Sequence, residues 1–241
     1  MASLYLHEGL ARDAVAGSVV TLTGDEARHA ITVARVRVGE RLSLGDGEGV
    51  VVSGPVRTVG RDELTLEVES VERHEPARPE LWLGQALAKG DRDELAVQAA
   101  TELGVSGVIP WAAERSVSRW EGPKAAKGRD RWASIVREAS KQSIRPFVPA
   151  VEPVATTAAL AQLPGQVLVL VPGADVALTE VELDPTRVTL VVGPEGGTAP
   201  RELETLVAGG ATPVRLGVEV LRTSTAGPAA IAVLNARLGR W

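Results

Sequence analysis

Val188-Thr189-Leu190-Val191-Val192 is an unbroken run of β-forming residues that passes directly into Gly193-Pro194-Glu195-Gly196-Gly197. Such a run is the pattern of a buried strand. Its exit is built from residues that let a backbone turn sharply and approach a ligand closely. A second stretch follows about twenty residues on, Leu216-Gly217-Val218-Glu219-Val220-Leu221-Arg222-Thr223-Ser224-Thr225-Ala226-Gly227, and reads the same way. Two such strand ends side by side make a site for a small planar molecule.

From Leu81 onward, strand and helix patterns alternate. Strands are expected at 81–87, 108–109, 167–171, 188–192 and 214–216. Helices are expected from Asp91 to Gly104, over 129–143, over 201–208 and over 226–238. Asp91 and Glu94 form an acidic variant of the capping box, and Gly104 suits a left-handed helix end. This alternation gives an α/β fold with a mostly parallel sheet, in which ligands bind outside the carboxyl ends of the strands. Residues 1–75 read instead as a small β-barrel of short alternating strands, with one helical turn over 25–36. Glu75-Pro76-Ala77-Arg78-Pro79 interrupts regular structure twice and sets the boundary between domains 1–75 and 76–241.

Composition removes several chemistries. There are no cysteines, so disulfides, thiolate metal sites and cysteine nucleophiles are excluded. His7, His29 and His74 are too scattered to suggest a metal site. No apolar run reaches the length of a membrane span, and the N-terminal residues lack a leader pattern, so the cytoplasm is the expected compartment. The net charge of −5 argues against bulk binding of nucleic acid. Yet residues 114–145 hold 9 Arg/Lys against 4 Asp/Glu, with Trp111, Trp120 and Trp132 interleaved. That mixture suits a surface gripping phosphates and stacking bases, or else a solvated helical face over core tryptophans.

The glycine loop is neither the G-x-G-x-x-G fingerprint nor a Walker loop, and its glutamate would repel phosphate. Together with its neighbours it is more specific. The chain resembles the RsmE family of the SPOUT superfamily in His29-Ala30-Ile31-Thr32-Val33-Ala34-Arg35, Ala88-Lys89-Gly90-Asp91-Arg92 and Ala100-Thr101-Glu102-Leu103-Gly104-Val105. The likeness continues through Glu114-Arg115-Ser116, Glu138-Ala139-Ser140-Lys141-Gln142-Ser143-Ile144-Arg145 and the two opening stretches.

The resemblance implies a PUA-like RNA-binding barrel, followed by an α/β domain whose C-terminal chain threads a deep trefoil knot. It also implies a homodimer through that domain, S-adenosyl-L-methionine as cofactor and no metal. The implied substrate is N3 of a uridine in 16S ribosomal RNA of the small ribosomal subunit. The cofactor would then lie against the backbone of Leu170-Val171-Pro172-Gly173, residues 193–197 and residues 216–221, among them Leu216, Gly217 and Leu221, with Ser224 and Thr225 beside it. Uridine N3 is protonated at neutral pH and needs help to become a nucleophile. Arg145 and Arg222 are the expected stabilisers of a deprotonated uracil, and Glu138 or Glu195 the candidate base. Glu138 and Arg145 read equally as a helix-end ion pair, and Glu195 as a residue shaping its own loop. Lys89, Arg92, Arg115, Arg119 and Lys141 are the expected RNA contacts. Ser224 stands where the family commonly has glutamate. Two alternatives stay open: a ribose 2′-O methyltransferase of the same superfamily, and a non-catalytic RNA-binding assembly factor.

Overall fold

The computed structural model describes residues 4–10 and 13–241. The first three residues, which open the stretch read above for a leader, lie outside that range. Contacts divide the chain into two compact units. One holds the residues up to Pro76 together with Ser140–Val148, and the other holds Ala77–Ala139 with Pro149–Trp241.

The first unit is a six-stranded sheet of β1 (Leu4–Leu6), β2 (Val19–Thr23), β3 (Arg41–Gly45), β4 (Val50–Val59), β5 (Glu63–Glu67) and β6 (Ser70–Arg73). Its order is β1-β3-β4-β5-β2, with β6 also paired to β4. Alternation puts Leu42, Leu44, Val52, Val56, Leu64 and Leu66 into one core. Only glycine fits at Gly54, where a Cβ would lie 1.8 Å from the Glu67 carbonyl oxygen. Between β2 and β3 the expected helical turn is split. Helix α1 (Gly24–Arg28) passes into a π turn over His29–Val33, and Arg35 follows with φ of 56°. The wider π turn shifts the facing of later residues. Ala27 and Ala30 are buried, whereas Ala34 is exposed and Val36 enters the core. Residues 146–148 add to this unit: the Gly49 amide donates to the Pro146 carbonyl at 3.0 Å and the Val148 amide to Gly47 at 2.9 Å.

The second unit alternates strand and helix. Its elements run β7 (Glu80–Ala86), α2 (Arg92–Glu102), β8 (Gly107–Trp111), α3 (Pro123–Gln142), β9 (Ala150–Val151) and α4 (Thr157–Leu160). They continue as β10 (Gln166–Leu170), β11 (Val176–Ala177), β12 (Arg187–Val192), α5 (Pro200–Ala208), β13 (Thr212–Arg215) and α6 (Thr223–Arg237). The strands form one parallel sheet in the order β11-β13-β10-β12-β7-β8-β9. All of Val188, Thr189, Leu190, Val191 and Val192 are buried, as an inner strand of such a sheet requires. Chain leaving β7 goes to β8 on one side, and chain leaving β12 goes to β13 beyond β10 on the other. The β7–β12 pair is thus the point where the winding direction switches, the place where open α/β sheets take ligands.

Two local expectations are corrected. The second opening stretch is not a buried strand: β13 ends at Arg215, and residues 216–222 form a loop in which Val218 is 96% and Val220 77% exposed. Its last partners, Leu170 on β10 and Ala177 on β11, face Val214 and Arg215, so no ladder remains to extend it. Nor does Asp91 cap α2. Its φ of 58° is left-handed, and its side chain makes no cap hydrogen bond, because a capping side chain needs extended backbone to reach the first helical amides. Asp93 does the anchoring instead, accepting from the amides of Ala88 at 3.1 Å and Glu94 at 2.9 Å.

Candidate functional site

A cavity of about 460 Å³ opens at the carboxyl ends of β10, β12 and β13. Ten residues expected from sequence line it: Leu170, Val171, Pro172, Gly193, Pro194, Glu195, Gly197, Leu216, Gly217 and Leu221. Gly173, Gly196, Ser224 and Thr225 do not. Glu219 and Val220 line it within the expected segment 216–221, whereas Val192, Thr198, Leu203, Thr223 and Ala226 were not expected there. Thr198 directly follows the glycines and so had a local signal. Leu203, on α5, had none.

The wall at 193–198 is rigidly built. The Gly197 amide closes a turn on the Pro194 carbonyl at 2.8 Å, and Gly197 has φ of 72°. A Cβ at Gly193 would meet Thr198 Oγ1 at 2.8 Å and the Thr198 nitrogen at 3.1 Å. Buried Thr223 donates its hydroxyl to the Gly193 carbonyl at 2.9 Å and accepts from Gln85 Nε2 at 2.8 Å. From β7 and α6 this locks the loop after β12. Two arginines hold its outer side. Arg92 pairs with Glu195 at 3.3 Å, and Arg115 donates to the Gly196 carbonyl at 3.0 Å.

The opposite wall is open. Among the described residues, the amides of 217–221 make no backbone hydrogen bond within the fold. Leu170, Val192, Leu203, Leu216 and Leu221 give apolar surface, and Glu195 and Glu219 bring carboxylates. Arg92 and Arg222 line it too, so the set suits an elongated ligand with a flat apolar part, hydrogen-bonding edges and charges of both signs.

Of the four candidates for the chemistry, Arg222, just ahead of α6, and Glu195 line the cavity. Glu138 lies on the exposed face of α3, and Arg145 belongs to the segment clustered with the first unit. Burial lowers the Arg145 guanidinium to about 10, so it keeps its charge at neutral pH.

Several expected RNA contacts are engaged elsewhere. Lys141 is only 9% exposed and pairs with Glu26 at 3.0 Å, because a buried ammonium must be paired. It is therefore not a phosphate-binding side chain. Arg119 folds back to the Glu114 carbonyl at 2.9 Å, and Arg131 forks onto Glu94 at 2.8 Å. Arg92 and Arg115 brace the glycine loop, while Lys89 stays exposed beside a second, smaller cavity. Trp111 and Trp132 are fully buried and cannot stack on bases, and half-buried Trp120 packs edge-on to Trp132 with centroids 5.2 Å apart. Of the three tryptophans of the basic cluster, Trp111 and Trp132 belong to the core.

Comparison with known proteins agrees with this architecture. The RNA methyltransferase domain family matches residues 75–235, and the RNA methyltransferase PUA domain family matches residues 22–69. The chain is 41% identical over 233 residues to ribosomal RNA small subunit methyltransferase E of Mycobacterium bovis, covering 93% of this chain and 89% of that protein. The Bacillus subtilis protein of the same name is 29% identical, with 86% and 85% covered. Among solved structures, ribosomal RNA small subunit methyltransferase E from Neisseria gonorrhoeae, bound to S-adenosyl methionine, superposes with a TM-score of 0.87 at 29% identity, covering 98% of both chains. A PUA domain followed by an RNA methyltransferase domain, matched along nearly the whole chain, places this protein in the ribosomal RNA small subunit methyltransferase E family.

Proposed function

We propose that this protein transfers the methyl group of S-adenosylmethionine to N3 of a uridine in 16S ribosomal RNA of the small subunit. The observation that carries the reading is the cavity at the carboxyl ends of β10, β12 and β13. Its apolar walls, unengaged loop amides and side chains of both charges suit an adenosine joined to an amino-acid arm that carries both charges. The Neisseria gonorrhoeae relative bound to S-adenosyl methionine supports it.

When bound, the cofactor supplies an electrophilic methyl on a sulfonium sulfur. An N3–CH3 bond forms as the C–S bond breaks, and the N3 proton must leave. The chain's task is to hold donor and acceptor in line and to stabilise charge on the uracil. Arg222 offers its guanidinium at the cavity, and Arg145, protonated at neutral pH, serves as a charge-stabilising group rather than a base. Glu138 is the candidate proton acceptor. Glu195 is held by Arg92, which supports a loop-shaping role for it. Ser224 lies off the cavity lining, so the missing acid of the family motif is read as a packing position.

The same reading includes a trefoil knot and a homodimer through the second unit, in the cytoplasm. Support for the knot is topological. Strand β13 lies beyond β10, yet the chain returns so that α6 packs on α2, β7 and β12. For the dimer, exposed Leu95 and Val117 offer apolar surface.

The test is incubation with methyl-labelled cofactor and small ribosomal subunits, followed by mass analysis of the nucleosides. The expected product is 3-methyluridine. Label on ribose would overturn the uracil assignment. No label, together with no cofactor binding in calorimetry, would turn the reading to the RNA-binding assembly factor.

A further inference from the structure

Glu202 is a carboxylate on the first turn of α5, only 7% exposed. Its Oε2 accepts the amide of Ala199, the residue that precedes the helix, at 3.3 Å. That bond is half of a capping box and needs only one oxygen. The other oxygen is used differently. Oε1 accepts the Glu114 amide at 2.9 Å and the Thr157 hydroxyl at 2.8 Å, from the loop after β8 and the start of α4. Thr157 in turn accepts the indole N–H of fully buried Trp111 at 3.1 Å.

The Glu114 peptide is fixed from its other side as well. Arg119 donates to the Glu114 carbonyl at 2.9 Å, and the Ser116 amide closes a turn on Ala113 at 3.0 Å. Held at both ends, the neighbouring Arg115 sends its guanidinium to the Gly196 carbonyl. The contact is close: a Cβ at Gly196 would lie 3.2 Å from the Arg115 Cβ. On the helix side, Leu203 follows Glu202 directly and lines the cavity. Glu202 itself does not line it.

We propose that Glu202 is a positioning residue for the cofactor site, setting the glycine loop through Glu114 and Arg115 and the Leu203 wall through α5. The inference rests on the cofactor reading above. A buried carboxylate with three donors from three segments fixes their separation more tightly than apolar packing does, since each donor left unmatched carries a desolvation penalty.

The test compares cofactor binding by calorimetry in Glu202→Gln, Thr157→Val and Thr157→Ser, at a temperature where circular dichroism shows each variant folded. Glutamine presents an amide N–H to a donor, so affinity for S-adenosylmethionine is expected to fall about tenfold. Thr157→Val removes the link to Trp111 from outside the cavity and should weaken binding about threefold. Thr157→Ser keeps the hydroxyl and should restore wild-type affinity. In turnover, KM for the cofactor should rise while kcat at saturation stays within about twofold, the pattern of a binding effect. A structural role alone would lower the melting temperature and leave affinity unmoved, and that result overturns the proposal. Should Glu202→Gln not fold, the valine and serine pair at 157 decides it. If the wild-type protein binds no S-adenosylmethionine, the cofactor reading fails instead.

Discussion

Residues 193–197 and 216–221 face the same cavity, each with glycine and one glutamate, yet the fold treats them differently. The first wall is tied by a turn of its own, by Thr223 from α6, by Arg92 from α2 and by Arg115 from the loop after β8. On the second, Val218 and Val220 are largely exposed and, among the described residues, the amides of 217–221 have no backbone partner. One wall is therefore formed before any ligand arrives. The other has few internal contacts, the mark of a segment that opens at little free-energy cost and is ordered by what it binds. Substitutions in the built wall should damage affinity through geometry. Substitutions in the open wall should act only through the contact removed.

Gly193→Val gives the sharpest test of that contrast. Its branched side chain would collide with Thr198, backbone included, and the loss of cofactor affinity should be about a hundredfold. Calorimetry measures it, and a loss under tenfold would break the claim of a rigid wall. Next comes Arg115→Ala, which removes the brace on the Gly196 carbonyl; a drop of about fivefold is expected. Val220→Ser should weaken binding by about threefold or less and move the melting temperature by no more than about 1 °C, since surface positions contribute little to stability. A large melting shift there would show that the open wall is packed in the free protein.

The smallest effect concerns Arg145, which belongs to neither wall. Its folded pKa of about 10 lies below the ordinary arginine value. The unfolded chain therefore holds the proton more tightly, and this group adds stability only as pH rises above about 10. From pH 7 to 9 it stays charged in both states. The melting-temperature gap between wild type and Arg145→Met should be constant across that window, as followed by circular dichroism. A gap that widens or narrows would mean that Arg145 titrates near neutrality and acts as more than a fixed charge.

What sequence revealed followed from physics confined to a short stretch. Val188 to Val192 announced an inner strand because burial on both faces demands it, and the glycines after it announced a close backbone approach. The stretch after Leu216 misled for a related reason. Its apolar residues look like a continuing strand, but only the neighbouring strands decide where a ladder stops, and β10 and β11 stop at the level of Val214 and Arg215. Asp91 and Asp93 lie two residues apart, and backbone handedness, invisible in the letters, decided which one anchors α2. Net charge along 114–145 could not show that Arg115, Arg119, Arg131 and Lys141 have protein partners 5 to 115 residues away. The role of Glu202 was hidden too, because its donors come from two other segments besides its own helix.

Hydrogen–deuterium exchange read by mass spectrometry, with and without S-adenosylmethionine, tests the two-wall account most directly. Peptides covering 216–222 should exchange freely in the unliganded protein and slow strongly on binding. Peptides covering 193–198 should be slow already and change little. Equal protection of both segments before ligand is added, or no slowing at 216–222 after saturation, would contradict it.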